Sequence, residues 1–195
     1  MRPTTLALSL ALLGLATLPV TAAVGNTHRP SSLPWSDAVQ VASFDPAVGQ
    51  LIGVRLSIDA FVRADLAAEN QAEVPDLVHV QTLANVRVAL PNGEVVTELS
   101  FDASATWSLA AFDGKTDFAG PSGRTIRPAG RRHAEVLIDD PAVLLYFQGP
   151  ASGGGTVELP VSASGVTSIV GGSKLAQLAN QTAGVRVLVE YFAVP

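Results

Sequence analysis

The stretch Asp113-Gly114-Lys115-Thr116-Asp117 holds two carboxylates, a hydroxyl and several main-chain carbonyls around a glycine turn. Hard cations take several oxygen ligands, so Asp113 and Asp117 are the candidate metal ligands and calcium the candidate cofactor. The loop lacks the further acidic positions and terminal bidentate Glu of an EF-hand, and Lys115 would oppose a divalent ion if it pointed inward. The alternative is an Asp-Gly turn whose carboxylates cap backbone amides. Paired acids also serve glycoside hydrolysis, for which Asp139 with Asp140 and Asp113 with Asp117 are the nearest pairs. That chemistry needs carboxyl groups about 5 to 10 Å apart across a cleft, and closeness in sequence does not provide this.

Nucleophilic catalysis finds less support. The chain has no cysteine, which removes thiol chemistry, disulfides and Cys-zinc sites. Serines are plentiful, but no Gly-x-Ser-x-Gly elbow occurs. His28, His79 and His133 are far apart in sequence and lack metal-ligand spacing. The expectation is no catalytic residue and no enzyme. Exposed aromatics offer a different chemistry, because β-sandwiches bind sugars through them. Trp35, Phe118 and Tyr146 are the candidate glycan-binding residues, since strand alternation assigns Trp107 to the core.

These side chains need strands to position them. From Val39 onward, apolar residues recur with period two and no helical stripe persists over three turns. Leu51 to Arg63 sets Ile52, Val54, Leu56, Ile58, Ala60 and Val62 on one face. Leu77 to Leu90 repeats the pattern and meets Pro91-Asn92-Gly93, a hairpin signal, before Glu94 to Phe101. Further strands are predicted at Ala103 to Leu109, Arg132 to Ile138, Thr156 to Ala163, Val166 to Val170 and Gly184 to Val194. Asp140-Pro141 predicts a short helical turn near 140–147. The last strand is apolar on much of both faces, so a central place is predicted for it. The fold class is all-β, an antiparallel β-sandwich of jelly-roll or Ig-like type.

The chain begins Met1-Arg2-Pro3 and runs apolar from Leu6 to Val20, ahead of Ala22 and Ala23. That layout predicts a cleavable secretory signal over 1–23. An extended lead-in segment follows over 24–37, then a single sandwich domain over 38–195. With 12 basic and 17 acidic residues the chain is mildly acidic, which disfavours nucleic acid and anionic lipid as partners. Arg124, Arg127, Arg131 and Arg132 sit among acids without interleaved aromatics and read as a solvated loop.

The motif order is distinctive: Phe44-Asp45-Pro46 before Gly49, then Leu109 to Gly114, Thr116-Asp117-Phe118 and Gly120-Pro121-Ser122-Gly123. Asp139 to Phe147 and Leu159 to Gly165 follow, and the terminal strand completes the series. From Val39 to Tyr191 the chain resembles the choice-of-anchor E domain family. The resemblance implies an exported bacterial surface or extracellular protein with a β-rich body and no known enzymatic activity. Members with a Pro-Glu-Pro sorting tail carry a motif, an apolar span and a basic end; this sequence ends Tyr191-Phe192-Ala193-Val194-Pro195. The expectation is a secreted or loosely surface-held protein without a transmembrane anchor. Its expected role is that of a non-catalytic structural or interaction module, whose partner is an envelope or extracellular-matrix component or a second copy of itself. A glycan-binding module and a calcium-stabilised surface or matrix protein are the alternatives.

Overall fold

The computed structural model describes residues 26–172 and 174–195; the expected signal segment 1–23 lies outside them. The described residues form nine strands in two antiparallel sheets: β1 (Asn26–Ser32), β2 (Trp35–Ala42), β3 (Gln50–Asn70), β4 (Asp76–Ala89), β5 (Val95–Leu109), β6 (Gly123–Ile126), β7 (Ala129–Ile138), β8 (Thr156–Val170) and β9 (Leu175–Val194). One sheet runs β1-β9-β3-β6, with β7 also on β3, and the other runs β2-β8-β4-β5. β6 and β7 share one side of β3, β7 along Val54–Arg63 and β6 along Leu66–Glu69, so together they form one broken strand. Counted that way, the chain changes sheet at every connection except the β4–β5 hairpin. Eight strands in this order make a jelly roll, which decides between the two sandwich types.

The alternation read from sequence holds along β3, where Val54, Leu56, Ile58 and Ala60 are all fully buried between the sheets. Its first residues differ from the expectation. A bulge against β9 between Leu51 and Gly53 reverses the phase, so Leu51 is buried and Ile52 half-buried. The pairs of short strands expected at 94–101 and 103–109, and at 156–163 and 166–170, are single strands, β5 and β8. β9 lies between β1 and β3, which is the central place its sequence predicts. It begins at Leu175 rather than Gly184, because Gln177, Asn180, Gln181 and Thr182 fall out of any regular apolar alternation over that stretch. The described part of the segment 24–37, from residue 26 on, is strand and is built into the sandwich: β1 pairs with β9 in one sheet and β2 with β8 in the other.

Asp140 caps the helical turn by accepting from the Ala142 amide at 2.8 Å, with Pro141 at its first position. The turn α1 (Pro141–Leu144) continues as a 3-10 turn through Phe147. Leu144 and Phe147 plug one end of the larger core, where Phe44 and Tyr191 meet them. A second, smaller core around Leu66, Val78, Val80 and Trp107 fills the other end. Gln181 lies between the two sheets, its side-chain amide reaching Thr82, Thr167 and the Val166 carbonyl of the opposite sheet.

Candidate functional site

The second core ends beneath the connections 71–75 and 110–122, and Asn70 ties both of them to the sheet. Its side-chain amide donates to the carbonyls of Val74 and Ala110, both at 2.8 Å, and its Oδ1 accepts from the Ala72 amide at 2.9 Å. Its main-chain amide donates to the Ser122 carbonyl at 2.8 Å. A fully buried Asn is tolerable when it is satisfied in this way. The long loop is further held by Ala110 N to Pro121 O and Phe112 N to Ala72 O, each 2.8 Å.

Asp113 and Asp117 both lie on this loop, and each is occupied locally. Asp113 Oδ1 accepts from Lys115 N and Asp117 Oδ1 from Ala119 N, both at 3.0 Å. These are Asx turns, the alternative read from the sequence. Among the described residues no three His, Asp or Glu side chains converge in metal-binding fashion.

Next to Asn70 stands a residue that sequence reasoning passed over. Glu69 is fully buried, and neither of its carboxylate oxygens has a hydrogen-bond partner. Ser122, buried as deeply, has a hydroxyl that is equally unpartnered. Glu69 pairs in register with Gly123 of β6 and Ala176 of β9. A Cβ on Gly123 would overlap Glu69 Oε2 and the Ala119 amide nitrogen, and would stand 2.6 Å from the Phe118 carbonyl carbon. Phe118, whose carbonyl accepts from Thr125 Oγ1 at 3.1 Å, is the non-glycine residue with positive φ among those described, at 55°. The sequence held one signal for the site: an acid directly after the buried run Leu66-Ala67-Ala68, where the strand still had neighbours on both sides.

The expected glycan residues do not meet. Trp35 packs against the core, donates Nε1 to the Ala183 carbonyl at 3.2 Å and stacks on His28 with ring centroids 3.9 Å apart. Tyr146 is exposed beside Phe147, near the Val54 level of β3, whereas Phe118 bonds to Thr125 at the Ala67 level. Those levels are about 40 Å apart at roughly 3.3 Å per residue. No common platform exists for a sugar ring.

The histidines serve strands. His28 Nδ1 meets Asp37 Oδ2 at 2.9 Å and its Nε2 meets Ser31 Oγ at 3.3 Å. This has the order of a Ser-His-Asp relay, but Ser31 Oγ also donates to the Arg29 carbonyl at 3.3 Å and the imidazole is covered by Trp35. Its evident work is to join β1 to β2, the neighbouring edge strands of the two sheets. The Ala38 amide, and then His28, hold the Asp37 carboxyl below its usual range. His133 takes a 2.9 Å contact from Asp59, which pushes its imidazole up, with Glu135 adding to the effect. His79 Nδ1 lies 3.0 Å from Thr106 Oγ1.

A small cavity of about 130 Å³ opens between the sheets, lined by Val62, Ala64, Thr82, Ala84 and Phe101 among others, with Arg132 over the Phe101 ring at 5.2 Å. None of the residues expected from sequence to bind a ligand lines it.

No family model and no curated protein matches the sequence. Among solved structures, the chain is similar to a mutant VP2 protein of infectious bursal disease virus in T=1 particles, at 14% identity, covering 87% of this chain and 37% of that one with a TM-score of 0.17. The Gx strain of the same virus gives 14% identity over 100% of this chain and 50% of that one, with a TM-score of 0.13. The chain thus spans half or less of the length of these proteins, and the likeness is too slight to bear on its fold or role.

Proposed function

We propose that this protein is a non-catalytic interaction module of the bacterial cell exterior, of the choice-of-anchor E type, secreted or loosely held at the surface. The observation that carries the reading is the outer face of the β2-β8-β4-β5 sheet. There Leu83 of β4 stands in register beside Val166 of β8, and Val170 beside His79, with Leu77 further along β4. All four aliphatic side chains are exposed, Val166 by 60%. Grouped apolar residues on an otherwise polar sheet face mark a binding surface more often than scattered ones do. Export is supported by the leader-like run Leu6 to Val20 behind Arg2. A glycan platform has less support, since Trp35, Phe118 and Tyr146 are dispersed. The partner is an envelope or matrix component that accepts an apolar sheet face.

Fractionation of the producing cell, with mass spectrometry of the protein's termini, tests the first half. Recovery outside the cytoplasm with a new N-terminus near Ala22 or Ala23 is expected; an uncut cytoplasmic protein would overturn it. For the second half, Leu83→Asp combined with Val166→Asp should leave the melting transition intact and release surface-held protein. Unchanged retention would exclude this face.

A further inference from the structure

The small cavity lies between the sheets on the side of their outer strands β5 and β7. Ala84 of β4 and Phe101 of β5 are register partners in one sheet, and Val62 of β3 and Gly130 of β7 are register partners in the other. All four border the same space, as do Ala64 and Ala103. A Cβ on Gly130 would stand 2.9 Å from the Phe101 ring, so glycine there lets the ring lie against the β7 backbone as a wall. Small residues from both sheets thus leave about 130 Å³ unfilled in an interior otherwise packed with Val, Leu and Ile. Such a void forfeits dispersion contacts along its lining, and an apolar cavity of about 150 Å³ takes up benzene. Thr82, also at the wall, already meets Gln181 and Thr167 and needs no partner from an occupant. Arg132 is exposed, borders the cavity and holds its guanidinium over the Phe101 ring. Its Nη1 donates to the Arg131 carbonyl at 3.0 Å, and no carboxylate among the described residues forms an ion pair with it. Asp102 borders the cavity too, but it is exposed and falls in the outward register of β5, opposite Leu83.

We propose that this cavity binds a small carboxylic acid with a benzene-sized apolar body, the body lying between Ala64, Ala84 and Phe101 and the ionised carboxylate on Arg132. With Nη1 turned to the Arg131 carbonyl, Nε and Nη2 remain, the pair of parallel donors that grips a carboxylate side-on. The buried end selects an apolar body, because a polar group carried there loses water and finds Thr82 already engaged. Arg132 supplies the choice of an anion over a neutral ring of the same size. The site is separate from the exposed Leu83 and Val166 on the outer face, and it stands whatever that face binds.

The test titrates the protein with benzoate and with benzyl alcohol, the same ring without the charge, at neutral pH and constant ionic strength. Benzoate should shift the amide resonances of Ala84, Phe101 and Gly130 saturably, and should raise the melting midpoint by roughly 3 to 6 °C at about tenfold excess over its dissociation constant. Benzyl alcohol should bind at least tenfold more weakly. Arg132→Gln should remove that preference by weakening benzoate alone. Ala84→Leu, or Ala103→Leu on the outer strand β5, should fill the space and abolish both interactions. No saturable benzoate shift, shifts centred away from the cavity, equal binding of the two probes, or binding that survives a folded filling variant would each overturn the assignment. If neither filled variant folds, the shift map of the parent and the Arg132→Gln comparison decide it.

Discussion

Gln181 of β9 donates its side-chain amide to Thr167 Oγ1 of β8 at 2.8 Å, a hydrogen bond that crosses the interior from one sheet to the other. The same amide reaches Thr82 of β4 and the Val166 carbonyl at 3.1 Å, and Thr82 and Thr167 hydroxyls stand 3.2 Å apart. This polar layer separates the larger apolar core from the smaller one. A buried network that is fully satisfied fixes the alignment of the groups it joins. Here it sets the stagger of the two sheets at mid-height, and with it the position of the loops beyond the smaller core.

Gln181→Leu should therefore cost more than the loss of one average hydrogen bond. Leucine fills the volume but leaves the Val166 carbonyl without its side-chain donor and the two threonines with only each other, an expected loss of about 2 kcal/mol. Urea denaturation of the two proteins measures it. A change below about 0.5 kcal/mol would show that the layer is held by the strands alone.

What the sequence made legible follows from where the physics is local. Period-two alternation through Val54, Leu56, Ile58 and Ala60 comes from one strand with one buried face, and it is readable without knowing the partners. The β9 start at Leu175 is not, because Gln177, Asn180 and Gln181 are polar and their strand character comes from pairing with β3. Gly165 looks like a break between two strands, yet it lies within β8, where a side chain would collide with Gln181 and Leu33. The candidate ligands Asp113 and Asp117 caught attention because they are close in sequence. Glu69 and Ser122 did not, since burial rather than spacing distinguishes each of them.

Tyr191 gives a pH prediction at the alkaline end. Its hydroxyl donates to the Ala42 carbonyl at 2.6 Å, and burial pushes its ionisation up to about 12 from 10.0. The folded state thus holds this proton more tightly than the unfolded chain. The associated stability is complete below pH about 10 and is lost as pH rises toward 12. Tyr191→Phe should lose about 1 kcal/mol at neutral pH and show a shallower decline between those limits. Parallel denaturation curves for parent and variant over the whole alkaline range would refute the assignment.

His133 and Asp37 act at lower pH and with opposite signs. The His133 imidazole is raised by Asp59, so its contribution is complete below the unfolded value of 6.5 and fades as pH rises through the folded one. The Asp37 carboxyl is lowered by the Ala38 amide and then by His28, so its contribution is present above 3.8 and disappears as pH falls through the folded value. Both groups are exposed, and the effects on stability are small. NMR titration is the direct check: Asp59→Asn should return the His133 midpoint toward 6.5. If it leaves that midpoint where it was, the 2.9 Å contact is not what holds the proton.

Gly123 and Gly93 separate two reasons for a glycine. Gly93 turns the β4–β5 hairpin at φ 88° with open space around its missing side chain, so Gly93→Ala should cost about 1 kcal/mol through backbone conformation alone. Gly123 does not need positive φ; its constraint is crowding by Glu69, the Ala119 amide and the Phe118 carbonyl. Gly123→Ala must move either the carboxylate or the loop backbone, and a loss of about 1 to 3 kcal/mol is expected. Hydrogen exchange shows which one moves. Faster exchange confined to 110–122 in Gly123→Ala means that the loop lifts away from β6. Because Asn70 ties that loop to the chain end of β3, the Asn70 and Ala110 amides should lose protection with it. If protection falls instead along the whole of β3, the damage has passed into the sheet, and Glu69 packs as part of the strand's core rather than as a support for the loop.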